Sequence, residues 1–323
     1  MTEPIILLGF PPSPQSQALR DRVTMLAPGY RVILSADMDV IRTHLTEIEV
    51  AAGRFPRDLL LAAPRLRWMQ QWSAGAEWLL RNTEAVAAPF VLTNASGVHA
   101  QPIGEHIMAL ALALTRGLHR AVRAQAEGRW QRPEMANGIA ELADQTMLLI
   151  GVGAIGERVA HFASAFGMRV VGVRRDPSRL VQDVAEMHGP AALAALLPEA
   201  DLVVITLPLT HETRHLIGEA QLRAMRSSAC LINIGRGGTV DEDALVRALQ
   251  EGWIAGAGLD VFEREPLPED SPLWKMENVI VTAHYSGRTP RYDERASAIF
   301  LDNLERYLSG QPLRNVVDKE RGY

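Results

Sequence analysis

A single cysteine, Cys230, leaves this 323-residue chain with no partner for an internal disulfide. A disulfide-stapled scaffold is excluded, and a reducing compartment, the cytoplasm, is the expected setting. Cys230 lies inside the apolar run ACLINI, a buried strand position, so it reads as packing and not as a nucleophile. Long apolar runs are missing too: no stretch approaches the roughly 20 residues that span a bilayer. The opening MTEPIILLGF puts an acid and a proline before a short apolar run, which is not the basic, longer pattern of a signal peptide. Positive charge is in deficit, with a formal net charge of −5, which argues against a general nucleic-acid or anionic-membrane surface. No repeat, low-complexity tract or flexible linker interrupts the chain, so domain boundaries must come from the rhythm of its strands.

What is present is ordinary globular composition, 47% hydrophobic and 22% charged, over a length that suits two domains. In the first third, IILLGF (5–10), RVILSA (31–36), LRWMQQ (66–71) and FVLTNASG (90–97) read as short strands separated by helical or loop segments. A single long helix is expected over about Gln101 to Trp130, apolar nearly all round in its first half and therefore buried on several sides. Beyond it, QTMLLIG, MRVVGV, DLVVITLP, ACLINIG, IAGAGLDVF and NVIVTAH form six apolar strands, most of them separated by helical segments. That alternation predicts an α/β fold with a doubly wound parallel sheet. A final amphipathic helix is expected over about 290–309.

The first of these six strands runs into GVGAIG, with Gly151, Gly153 and Gly156 between strand and helix. The first glycine permits a tight turn, the second lets backbone approach a pyrophosphate, and the third allows close helix–strand packing. With Ala154 and Ile155 they open a helix whose free amides and positive dipole end suit phosphate. A bare glycine-rich turn is weak evidence; one in this context predicts dinucleotide binding. The following strand ends at Arg174-Arg175-Asp176. An acid about 20 residues beyond the motif usually accepts both ribose hydroxyls of NAD, and Arg174 stands near that place. A guanidinium cannot accept those bonds but can pair with a 2′-phosphate, so Arg174 and Arg175 predict NADP(H) in preference to NAD(H). The bland alternative is a solvated arginine pair with Asp176 on the ribose.

The blocks LINIGRGGTVDEDAL, GLDVFEREPLP and NVIVTAHYSG, in that order after GVGAIG, resemble the D-isomer-specific 2-hydroxyacid dehydrogenases. The resemblance covers essentially the whole chain and is strongest from about Asn94 to Gly287. It implies a catalytic trio of Arg236, Glu265 and His284. These types fit the reduction of a 2-keto acid: an arginine can hold the carboxylate in a fork, a histidine can give a proton near neutral pH, and a carboxylate can orient it. It also implies that Ala74 and Gly75, in WSAGAEW, face the substrate carboxylate through their amides. Asp260 would lie near the nicotinamide carboxamide, Thr206 and Pro208 beside the cofactor, Ile234 against the nicotinamide, and Tyr285 along the substrate pocket.

For the fold, the resemblance implies two Rossmann-like domains. The nucleotide-binding one, 99–286, would be inserted into a discontinuous substrate domain of 1–98 and 287–323. It further implies a homodimer that uses no metal. The arginine at position 174 is a departure from the usual acid and points toward NADPH-using glyoxylate and hydroxypyruvate reductases. No regulatory domain is expected after Tyr323, unlike the larger phosphoglycerate dehydrogenases. Glu265 speaks against formate dehydrogenases, which pair their histidine with glutamine. Some relatives of this kind are cofactor-sensing corepressors that keep similar catalytic residues, and such a binding protein is the alternative reading.

Overall fold

The computed structural model describes residues 3–130 and 139–322. It divides into two compact units, Met1–Val98 with Thr289–Tyr323, and His99–Arg288.

Among the described residues the first unit holds five strands: β1 (Ile5–Gly9), β2 (Arg31–Leu34), β3 (Ile48–Gly53), β4 (Trp68–Gln70) and β5 (Val91–Thr93). They pair in parallel in the order β2-β1-β3-β4-β5. Successive side chains of a strand point to opposite faces. Ile5, Leu7, Ala51, Met69 and Leu92 therefore build the core of one face. Ile6, Leu8, Val50, Ala52 and Trp68 build the other, covered by Leu19 and Val23 and by Phe300, Leu301 and Leu304 of the terminal helix Tyr292–Leu308. Strand β3 was not anticipated: its sequence, IEVAAG, offers small residues in place of an aliphatic run.

Among the described residues the second unit holds seven: β6 (Thr146–Ile150), β7 (Arg169–Val173), β8 (Glu186–His188), β9 (Leu202–Ile205), β10 (Cys230–Asn233), β11 (Gly256–Leu259) and β12 (Val279–Val281). All pairings are parallel, in the order β12-β11-β10-β9-β6-β7-β8. From β6 the chain winds out to β8, then returns to place β9 on the other side of β6. That reversal makes a crevice at the carboxyl ends of β6 and β9, where doubly wound sheets bind ligands. Helices cover two cores of alternating strand residues, one through Leu148, Ile150, Val203 and Ile205, the other through Met147, Leu149, Leu202 and Val204. The chain is thus α/β with two parallel-sheet domains.

Two expectations for this unit need correction. The sheet has seven strands, not six, because the polar edge strand β8, EMH, carries no apolar signal. The long helix is two, Ala100–Thr115 and Leu118–Ala126, broken where Gly117 takes φ +66°. A left-handed glycine just past the last turn is how helices commonly end. Cys230 is buried in β10, and burial pushes its thiol up to about 11, as expected of an inert side chain.

Candidate active site

One register row crosses the second sheet at its carboxyl edge: Val173, Ile150, Ile205, Asn233, Leu259 and Val281 are neighbours in turn. The residues that follow them are Arg174, Gly151, Thr206, Ile234, Asp260 and Thr282. Five of the six were read from sequence as cofactor residues; Thr282 was not. The ladder runs one step further through these positions, with the amides of Gly151, Thr206, Ile234, Asp260 and Thr282 donating to Val173, Ile150, Ile205, Asn233 and Leu259. The row is therefore rigid, as a site for chemistry needs to be.

The glycine turn is shaped for a phosphate group. Gly151 adopts φ +102°, and a Cβ on Gly156 would lie 2.5 Å from the Gly151 carbonyl oxygen, so helix and turn touch backbone to backbone. At Gly153 a Cβ would meet nothing within 4 Å among the described residues, leaving open space before the helix Ala154–Ala165. Gly153 caps that helix with no side-chain bond, so its first amides stay available to an anion. The Thr206 hydroxyl donates to the Gly151 carbonyl and ties the turn to the next loop. In that loop Pro208 accepts from the Thr213 hydroxyl at 2.7 Å. Arg174 is partly buried, and its Nη1 has no hydrogen-bond partner among the described residues. Arg175 is exposed and lies 3.7 Å from Glu212. The Asp176 carboxylate accepts from the Ser178 amide and hydroxyl, which hold it below the usual carboxylate range. These residues fit a nicotinamide dinucleotide.

His284 and Glu265 meet at 2.7 Å, Nδ1 to Oε2. The other carboxylate oxygen accepts from the Phe262 amide at 3.1 Å. Because a carboxylate can only accept, Nδ1 carries the shared proton, and Nε2 is not the nitrogen engaged with Glu265. Both side chains are partly open, 50% exposed for His284 and 36% for Glu265. Arg236 follows β10 in the GRG turn and sends Nη1 to the Gly235 carbonyl at 2.8 Å. A Cβ on Gly237 would fall 1.9 Å from the Phe262 carbonyl carbon. The arginine turn thus packs against the backbone that leads into Glu265.

Asp260 is fully buried. It accepts from the Thr282 hydroxyl at 2.6 Å and from the amides of Tyr285 and Ser286 at 3.1 and 3.0 Å. Its carbonyl accepts from the His284 amide at 2.9 Å. His284 itself has φ +51°, a left-handed conformation that costs a non-glycine residue roughly 1–2 kcal/mol. The Asp260 bonds offset that cost and hold the histidine where it is. Tyr285 is 46% exposed.

In the first unit, Gln71 is buried and donates to the carbonyls of Ser73 and Gly75, while its oxygen accepts from Trp78 Nε1. Asn94 donates to the Ala74 carbonyl at 2.7 Å. A trans peptide points its N–H opposite to the carbonyl before it. With these carbonyls drawn inward, the amides of Ala74, Gly75 and Ala76 point away from Gln71 and Asn94, as an anion-binding turn requires. Gln71, Asn94 and Thr282 were missed in sequence; only a polar residue within an apolar stretch marks them.

Among the described residues no group of three or more His, Cys, Asp or Glu side chains could hold a metal ion, and no helix is long and apolar enough to cross a membrane.

A family profile, the NAD-binding domain of D-isomer-specific 2-hydroxyacid dehydrogenases, matches residues 108–286. The chain belongs to this family. Among curated relatives it is 38% identical over 306 residues to a glyoxylate reductase of Aeropyrum pernix, covering 91% of this chain and 87% of that one. A glyoxylate/hydroxypyruvate reductase B of Pectobacterium carotovorum is 39% identical over 276 residues, 84% of each chain. A D-isomer-specific 2-hydroxyacid dehydrogenase of Xanthobacter autotrophicus, solved with NADPH and MES, superposes with TM-score 0.82 at 29% identity over all of both chains. As a 2-hydroxyacid dehydrogenase, the chain is an NAD(P)-dependent oxidoreductase.

Proposed function

We propose that this dehydrogenase reduces small 2-keto acids of the glyoxylate and hydroxypyruvate type with NADPH, as a cytoplasmic homodimer. The observation that carries the reaction is the His284–Glu265 pair, fixed at 2.7 Å and anchored by the Phe262 amide. The nicotinamide, when bound, supplies hydride to C2 of the acid. His284 Nε2 gives the proton to the carbonyl oxygen, and Glu265 holds the ring in place through Nδ1. Arg236 takes the substrate carboxylate in a charge-assisted fork. Ala74 and Gly75 present amide donors of the kind a carboxylate takes, and Tyr285 lines the substrate pocket. Ile234 packs at the nicotinamide, while Gly151, Gly153, Ala154, Ile155 and Gly156 cradle the pyrophosphate beside Thr206 and Pro208. Arg174, with an unmatched nitrogen, and Arg175 take the 2′-phosphate; the engaged carboxylate of Asp176 favours this over a ribose role. The single cysteine supports the compartment, and the dimer rests on the likeness to the family.

Steady-state turnover of glyoxylate, hydroxypyruvate and longer 2-keto acids, each with NADPH and NADH, tests this reading. Turnover should be fastest with the small acids and NADPH. His284→Ala should lower kcat about 10²–10⁴-fold while cofactor binding persists. Cofactor binding with no turnover on any acid would overturn the reading in favour of a sensor.

A further inference from the structure

The helix Ala100–Thr115 is apolar along most of its length, yet His106 interrupts it. Four helical residues advance about 6 Å and two strand residues about 6.6 Å, so every fourth helical residue can track every second residue of a strand beneath. Such tracking is seen over β11: a Cβ on Gly256 would meet Leu114, and one on Gly258 would meet Leu110 at 3.2 Å. One further step along both elements brings His106 to Asp260. Here the imidazole is 15% exposed, with Nε2 3.0 Å from the Thr282 hydroxyl and 3.9 Å from Asp260 Oδ1. Its ring meets that of Tyr285 edge to face, 5.5 Å between centroids.

The proton positions follow from donor chemistry. Asp260 can only accept, so the single Thr282 hydroxyl proton is committed to it at 2.6 Å. Thr282 must then accept from His106, which requires a proton on Nε2. Burial lowers the pKa of His106, but either protonation state of the ring can keep a proton at Nε2. A directed chain results, from His106 to Thr282 to Asp260, ending on the amides of Tyr285 and Ser286 that follow His284.

We infer that His106 is a positioning residue for catalysis, which through Thr282 and Asp260 fixes the left-handed turn carrying His284. The inference rests on the reading of His284 as proton donor. His106 touches no reacting atom in this scheme. It orients the carboxylate that holds the turn, so its loss is felt in the chemical step more than in substrate capture.

The test uses the full-length enzyme with glyoxylate and NADPH. His106→Leu and Thr282→Val should each lower kcat about tenfold, with KM for glyoxylate and Kd for NADPH within about twofold. His106→Gln, which can place an N–H near Nε2, and Thr282→Ser should restore kcat to within about threefold of wild type. Amide hydrogen exchange at Tyr285 and Ser286 should quicken in the first pair and return in the second. Wild-type kcat in His106→Leu, or an equal loss in His106→Gln, overturns the inference. Should Thr282→Val not fold, the two His106 variants decide alone. His284→Ala in the same series separates the readings: if it keeps turnover, the proton-donor assignment fails. If it loses turnover while His106→Leu matches wild type, only the positioning role fails.

Discussion

Replacing Arg174 with alanine should remove the coenzyme preference without unfolding the enzyme. Its Nη1 is buried and lacks a hydrogen-bond partner among the described residues, and it follows directly on Val173, the last residue of β7. A hydrogen bond to a charged group contributes about 1.5–3 kcal/mol. One such bond to a 2′-phosphate corresponds to roughly 10- to 150-fold in kcat/KM for NADPH. NADH offers only a neutral hydroxyl there, without the ion-pair attraction of a phosphate, so its kcat/KM should fall by a smaller factor than that for NADPH. Arg174→Lys keeps the charge but loses the planar fork, and should fall between wild type and alanine. The assay varies each coenzyme at saturating glyoxylate, with thermal melts to verify folding. Raising ionic strength should shrink the NADPH advantage of the wild type. The reasoning is refuted if the wild type prefers NADH, or if Arg174→Ala lowers both coenzymes by the same factor.

Three further outcomes are expected. Glu265→Gln should lower kcat about 10²-fold or more. Because the pair is 50% and 36% exposed, the melting free energy should move by less than about 1 kcal/mol; a large loss of stability would mean a structural role. Gln71→Leu strands the Trp78 indole N–H and the Gly75 carbonyl, so chemical denaturation should show a loss of about 2–6 kcal/mol, with a raised KM for the keto acid. An unchanged KM would sever Gln71 from the anion-facing turn. Tyr30 donates to Glu49 at 2.6 Å, and burial followed by that carboxylate pushes its phenol up to about 12 from an ordinary 10. A raised folded value means its stabilisation is complete below pH 10 and is lost as pH rises toward 12. The Tm gap between wild type and Tyr30→Phe should therefore narrow across that range, and a widening gap would contradict the assignment.

Much of the site could be read before any fold was known, because it lies at strand ends. An apolar strand announces itself in sequence, and the residue after it is then a known position at the carboxyl edge of a parallel sheet. Gly151 and Arg174 were legible in this way, while Thr206, Ile234 and Asp260 were named through the likeness to the family and fall in the same row. Thr282 occupies the same row but escaped notice, since a lone threonine before Ala283 carries no chemical signal. Strands β3 and β8 escaped for a related reason: IEVAAG is rich in small residues and EMH is polar, and both are held by their neighbours in the sheet more than by their own pattern. The break at Gly117 was visible as a glycine, yet a glycine inside an apolar helical pattern does not say whether the helix bends, ends or continues.

The amino-acid sequence by itself determined the fold class, the glycine turn and the arginine that stands where an acid is usual; the candidate trio came from the likeness of three sequence blocks to the family. The first three depend on residue type at short spacing, which local chemistry and strand period dictate. Tertiary structure alone decided what holds these groups in working order. Glu265 and His284 are 19 residues apart in sequence, and His106 and Thr282 are 176 apart. No periodicity connects such positions. Only the packing of the helix Ala100–Thr115 along β11, and the parallel register of β10, β11 and β12, brings His106, Asp260 and Thr282 within hydrogen-bonding reach behind the histidine.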